Sequence, residues 1–271
     1  MNKSKIEWCK YTWNPVTGCG HGCSYCYAAK IAHRFAKADA ECRNCSISPD
    51  CPGKTAEGKC PNYREYRPRE KIHVLDIKQY GFYPERHSIA FPYGFEPTFH
   101  RYRLQEPGQI KTLSTVFVCS MADLFGDFIP DEWIFEVFKA CAEHPLHRYM
   151  FLTKNPRRYE DLIAVGRLPE SKNMWYGTTI TTENETYFHS EKYNTFLSIE
   201  PIQGPFSSLC YHANWVIIGQ ETGNRKGRIT AKPEWINEIY KVCHQAGIPV
   251  FMKNNLSSVV ENLIQEEIKK V

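Results

Sequence analysis

Three cysteines crowd into the stretch Cys19-Gly20-His21-Gly22-Cys23-Ser24-Tyr25-Cys26, at C-x3-C-x2-C spacing. A backbone that brings three thiolates round one centre has few conformations open to it, so this loop constrains the chain more than any other stretch. Thiolates this close in sequence can wrap one corner of an iron–sulfur cube and ligate three of its irons. Such clusters are held by cysteine thiolates, usually four. A three-cysteine loop therefore implies either a distant fourth ligand or an iron left open to an exogenous one. Gly20 and Gly22 suit a tight ligand loop, which often needs positive φ or close backbone approach. The alternatives are a zinc loop, which favours C-x2-C pairs, and buried free cysteines, which rarely cluster. The spacing favours the cluster.

The same stretch, with Tyr25 directly before the last cysteine, resembles the C-x3-C-x-aromatic-C signature of the radical S-adenosylmethionine (SAM) superfamily. The wider context, Thr12-Trp13-Asn14-Pro15-Val16-Thr17-Gly18-Cys19 through Cys26-Tyr27-Ala28, is similar to one phage- and bacteria-associated branch of unknown substrate. The likeness runs along most of the chain. It implies that Cys19, Cys23 and Cys26 are the catalytic ligands of a 4Fe-4S cluster whose open iron chelates the amino and carboxylate groups of SAM. It also implies that one electron cleaves the sulfonium C–S bond, giving methionine and a 5′-deoxyadenosyl radical that abstracts a substrate hydrogen. By the same resemblance Tyr25 lies near the adenine, and a flavodoxin- or ferredoxin-type reductant supplies the electron.

At 271 residues, 42% hydrophobic and 24% charged, the composition is that of a globular chain able to bury a substantial core. A net charge of +4 permits a nucleic-acid partner without arguing for one. No apolar run approaches a membrane span and no signal peptide is visible. Twelve cysteines without a leader point to metal sites in a reducing compartment rather than disulfides, so a cytoplasmic protein is expected.

A second group, Cys42, Cys45, Cys51 and Cys60, has C-x2-C-x5-C-x8-C spacing in an insertion at about 41–68 rich in Pro, Gly and charge. With no hydrophobic periodicity, this segment needs a staple. Four cysteines suffice for one metal centre, either a structural zinc or an auxiliary iron–sulfur cluster, which the C-x2-C-x5-C spacing of some radical SAM enzymes resembles.

Around this insertion the chain reads as one α/β domain. A first helix is expected over 24–40, its positive end against the cluster thiolates. From residue 112 strands alternate with helices. Strands are read at Thr115–Ser120, Arg148–Leu152, Met174–Gly177, Asn194–Ile199, Asn214–Ile218 and Pro249–Met252. Helices are read at about 130–143, 156–165, 183–189, 232–246 and 257–269. Repeated βα units give a parallel sheet, here a full or partial TIM-like barrel. Radical SAM proteins use that architecture, often with six units.

In such sheets the active site lies at the C-terminal strand ends, which are consistently polar here: Asp123, Lys154, Thr178, Thr179, Glu200, Gln220, Glu221 and Lys253. Ser120, Asp123, Thr178 and Thr179 suit the ribose or sulfonium surroundings. Lys154 and Lys253 suit a carboxylate or anionic substrate, and Glu200 and Glu221 suit amino or hydroxyl donors. Gly94-Phe95-Glu96-Pro97 resembles the Gly-Gly-Glu-Pro element that holds the SAM amino group, with Phe95 in place of the second glycine; the resemblance assigns Gly94 and Glu96 to the cofactor. Cys119, at a strand end, is either a hydrogen-atom donor or a small core residue. Basic loops and abundant aromatics favour a nucleic acid or nucleotide as substrate. A peptide or protein is the alternative, and a non-catalytic iron–sulfur or zinc-stapled nucleic-acid-binding protein is the non-enzymatic reading.

Overall fold

The computed structural model describes residues 1–35, 72–78, 90–206 and 212–268. Its frame is a sheet of eight strands in the order β1-β2-β6-β7-β8-β9-β10-β11. Strands β1 (Asn2–Lys3) and β2 (Tyr11–Trp13) pair antiparallel. From β2 onward every pair is parallel: β6 (Thr115–Val118), β7 (Arg148–Thr153), β8 (Met174–Ile180), β9 (Asn194–Ile199), β10 (Val216–Ile218) and β11 (Val250–Met252). The strands are rich in Val, Ile, Phe, Tyr and Trp, which suit a pleated surface covered on both faces. Neighbours in the sheet follow chain order, as in a singly wound βα array. β1 and β11 do not pair, so the sheet is open: of the full or partial barrel expected, the full one is excluded.

A smaller sheet, β3-β5-β4, joins Val16–Thr17, Thr98–His100 and His73–Leu75 beside the cysteine loop. Helix α1 spans Tyr27–Phe35, α2 Asp131–Glu143, α3 Arg157–Ala164 and α4 Pro233–Gln245. Pro130 caps α2 and Pro233 opens α4, where a missing N–H is harmless. Trp133, Ile134, Val137 and Cys141 of α2 bury against β6–β8, and Ile236, Ile239 and Cys243 of α4 bury against β9–β11. Each such side chain contributes roughly 1.5–3 kcal/mol of burial.

The opposite face of the sheet is different. Strand alternation sends Tyr176 and Ile180 of β8 into the helix-covered layer, while Trp175 joins Met150, Phe196, Trp215, Ile217 and Phe251 on the other side. Trp8 packs onto that group, its ring 4.8 Å from Phe117.

Two expected helices are absent. Around 183–189 the backbone donors are taken by side chains: Glu185 Oε1 accepts from the N–H groups of Thr181 and Thr182, both at 2.8 Å, and Thr178 Oγ1 accepts from Phe188 N–H at 3.0 Å. After a short turn at Asn254–Leu256, the residues to 268 are not helical but run back along β11. Phe251 bridges Gln265 antiparallel, and Glu266 N–H donates to Val250 C=O at 2.9 Å. This return covers an edge that would otherwise be open. Among the described residues, no helix is long and apolar enough to cross a membrane.

Candidate functional site

The chain from Trp13 to Ala28 crosses the C-terminal end of the parallel sheet, and three elements pin it there. Asn14 Oδ1 accepts from Ser120 Oγ and Met121 N–H, both at 3.1 Å. Gly18 N–H donates to Met121 C=O at 2.9 Å, and Cys19 N–H donates to Phe95 C=O at 3.1 Å. Gly18 has φ +87, and a Cβ there would sit 2.1 Å from the Glu96 carbonyl oxygen, so only glycine fits this crossing. Phe128 lies across Gly20 and meets the His21 ring edge-on at 5.4 Å.

His21 Nε2 lies 2.7 Å from Asp123 Oδ2. Asp123 also accepts from Phe125 N–H at 3.0 Å and Lys154 N–H at 2.9 Å. Its buried carboxylate thus ties the cysteine loop to the ends of β6 and β7. Tyr27 donates its hydroxyl to Ser120 C=O at 2.7 Å. At the start of α1, Ala29 N–H donates to Cys26 Sγ at 3.3 Å, so the cysteine caps the helix.

These contacts set the three cysteines on the wall of a cavity of about 660 Å³, within the size range of small-ligand pockets. Trp8, Phe117 and Leu152 give it an apolar floor, while Lys30, Lys154, Thr179, Gln220 and Asn255 are among its polar groups. Lys154 holds its ammonium 5.2 Å from the centre of the Tyr25 ring, which shares the cavity wall with Cys23. Glu200 and Lys253 form an ion pair that spans β10 from β9 to β11. Gly219 makes room for it, since a Cβ there would lie 3.0 Å from the Lys253 chain and 3.1 Å from the Glu200 carboxyl. Glu221 is held by Arg225 through two bonds of 2.7 and 2.8 Å. Those bonds keep its carboxyl below the ordinary range against the effect of burial, with Lys30 and Arg228 adding to the attraction.

Most of the sequence-derived residues line this one cavity: Cys19, Cys23, Cys26, Tyr25, Ser120, Asp123, Lys154, Thr179, Glu200, Gln220, Glu221 and Lys253. Others do not. Thr178 points to the helix-covered face, one residue out of phase with Thr179, and its hydroxyl serves Phe188. Glu96 is paired with His73 at 2.7 Å, and of its turn it is Phe95, not Gly94 or Glu96, that reaches the cavity. Gly94 has φ +63 and turns the chain. Cys119, at φ +59, is buried in the helix-covered core rather than at the cavity. Cys42, Cys45, Cys51 and Cys60 lie outside the described residues. His21, Trp8 and Lys30 belong to the site without having been singled out as its residues. His21 carried one signal, its place between two of the cysteines.

The donor set suits a cluster. Burial, with the charges of Asp123, Cys23 and Cys26 adding to it, pushes the Cys19 thiol up to about 12. A thiolate is the ligand form, so a Cys19 thiolate here calls for a cationic centre beside it. Among the described residues, no three His, Cys, Asp or Glu side chains converge on a point for a single ion. A cube does not require convergence, because each thiolate takes its own iron.

A family model matches residues 3–270, nearly the whole chain. The chain belongs to the DUF5131 family. Its description is "Protein of unknown function (DUF5131)". Comparison with curated proteins gave no match, and comparison with solved structures gave none either. The family assignment therefore carries no chemistry, and the functional reading of this DUF5131 member rests on the site.

Proposed function

We propose that this protein is a radical SAM enzyme with Cys19, Cys23 and Cys26 as ligands of a 4Fe-4S cluster and an open iron for SAM. The observation that carries the reading is the position of the three signature cysteines: together on the wall of one ligand-sized cavity, at the C-terminal ends of parallel strands. On this reading the open sheet is a partial (β/α) barrel of the radical SAM type, in one cytoplasmic domain. The insertion cysteines, Cys42 to Cys60, then hold a separate metal centre, an auxiliary cluster or zinc. When bound, the cluster supplies the electron that splits the sulfonium of SAM and so starts hydrogen abstraction.

The residues of this chain have positional roles. The α1 N-terminus orients the Cys26 sulfur through the Ala29 N–H. Lys154 offers a cation to the SAM carboxylate beside Tyr25. Thr179, Gln220 and Asn255 offer neutral hydrogen-bonding groups. Trp8, Phe117 and Leu152 keep the floor dry, which strengthens every polar contact above it. The electron comes from a flavodoxin- or ferredoxin-type partner, and the substrate is a nucleic acid or nucleotide rather than a peptide.

Anaerobic reconstitution with iron and sulfide, followed by dithionite and SAM, tests the proposal. It should yield methionine and 5′-deoxyadenosine, and Cys23→Ala should yield neither. A cluster that never turns over SAM would leave a non-catalytic iron–sulfur protein. A colourless, zinc-loaded protein would leave a zinc-stapled one.

A further inference from the structure

Helix α1 leads away from the cavity with an unusual exposed face. Tyr27, Lys30, Ile31, Arg34 and Phe35 recur at helical spacing on one side, all exposed, while Ala28 and Ala32 are buried on the other. Tyr27 is 51% exposed and Phe35 56%, high values for aromatics. Tyr27, Lys30 and Ile31 also line the cavity, so the face is continuous with it. The Tyr27 ring is fixed in advance by its bond to Ser120, and the Arg34 guanidinium stands 5.7 Å from the centre of the Phe35 ring.

A second element brings cations to the same rim. Thr222 and Gly223 of the loop after β10 line the cavity, and Lys30, Arg225 and Arg228 all act on Glu221. Arg225 is bonded to Glu221 and Arg228 donates to Gly223 C=O at 2.9 Å, with Lys226 exposed beside them. Aromatic faces at either end of a row of cations suit a single strand of nucleic acid: rings for its bases and charges for its phosphates. An acidic peptide would use the cations but has no general use for the aromatic rings flanking them. A duplex would use the phosphate contacts but keeps its bases stacked inside.

We infer that the exposed face of α1, with the Arg225–Arg228 loop, is a docking track for single-stranded nucleic acid that delivers one nucleotide to the cavity. This rests on the radical SAM proposal and narrows its nucleic-acid substrate to a single strand docked on a defined surface. Bases stack on Tyr27 and Phe35, Lys30, Arg34 and Arg228 meet phosphates, and the apolar floor of Trp8 and Phe117 receives the inserted base.

The test is fluorescence anisotropy of the full-length protein, without SAM or reductant, with labelled DNA and RNA oligonucleotides of one sequence, single-stranded and duplex. Single strands should bind more tightly than duplex, and the DNA and RNA arms identify the preferred sugar. Phe35→Ala should weaken binding roughly tenfold, as loss of one base stack does. Arg34→Gln should flatten the log–log salt dependence by roughly 0.7, the share of one phosphate on a single strand. Arg34 is exposed, so that variant stays informative if Phe35→Ala misfolds. Unchanged affinity and salt slope in Arg34→Gln and in folded Phe35→Ala would overturn the inference. So would tighter binding of duplex, or equal binding of a labelled oligoglutamate peptide. Release of 5′-deoxyadenosine is measured separately: if it fails while α1-dependent binding holds, the enzyme reading falls and the track stands, and the reverse result removes the track alone.

Discussion

The side chains of His21 and Asp123 meet at 2.7 Å although 102 residues separate them in the chain. Through this contact the β6–α2 loop holds the cysteine loop in place. Asp123→Ala would strand three partners at once: His21 and the N–H groups of Phe125 and Lys154. Each buried group left without an acceptor costs about 1–3 kcal/mol. The thermal midpoint should fall by roughly 5–15 °C in a chain of this size, and iron should be lost more readily during gel filtration. Asp123→Asn keeps a carbonyl acceptor and should lose less. A wild-type midpoint and iron content in Asp123→Ala would show the contact to be idle.

Gly177 lies on the inner face of β8, where an added Cβ would stand 2.3 Å from the Phe196 ring. Phe196 is almost wholly buried among Trp8, Trp175 and Trp215 and has no room to withdraw. Gly177→Ala should therefore cost about 1–3 kcal/mol, the usual penalty of overpacking. Urea denaturation reads the loss directly. Phe196→Leu in the same chain should recover part of it, because residues in contact do not act additively. Equal losses in the single and double variants would mean the strain lies elsewhere.

The sequence made the parallel strands legible because each is a short apolar run, rich in β-branched and aromatic residues, that ends in a polar group. It also made the cysteine loop legible, since spacing alone brings those sulfurs near one another. It did not show which side of a strand a given residue takes. Thr178 and Thr179 are chemically identical in the sequence, and only the register of β8 separates a buried partner of Phe188 from a cavity wall. Contacts between distant segments were hidden for a similar reason. Nothing near Glu96 announces His73 as its partner, and nothing near His21 announces Asp123. The stretch 257–268 has helical spacing of Val259, Val260, Leu263 and Ile264, but the free edge of β11 competes for its backbone and wins.

Cys119 sits at a strand end, where a thiol could quench a product radical, but its side chain lies in the helix-covered core. Burial also pushes its thiol up to about 12, as for a small apolar residue. Cys119→Ala should therefore release 5′-deoxyadenosine from SAM at the wild-type rate, with a loss of about 1 kcal/mol in stability. Loss of turnover with an intact fold and cluster would return Cys119 to the chemistry.

His100 gives a pH dependence with a definite sign. It is fully buried beside the cysteine-loop strand β3, with Nε2 at 2.8 Å from Thr17 Oγ1 and Nδ1 at 3.3 Å from the Tyr102 hydroxyl. Burial, reinforced by the charge of Arg103, lowers it from 6.5 to about 3. The folded protein thus keeps this ring neutral at a pH where the unfolded chain protonates it. Stability from His100 is complete above pH 6.5 and is lost as pH falls towards about 3. Within that window its slope is at most about 1.4 kcal/mol per pH unit, the value of one proton. Urea denaturation at several pH values, for wild type and for His100→Gln, isolates the effect. Glutamine preserves a polar partner for Thr17 and does not titrate, so the variant should show a shallower fall between pH 6 and 4. Parallel curves for the two proteins would mean that His100 takes up its proton in the folded state as readily as in the unfolded one.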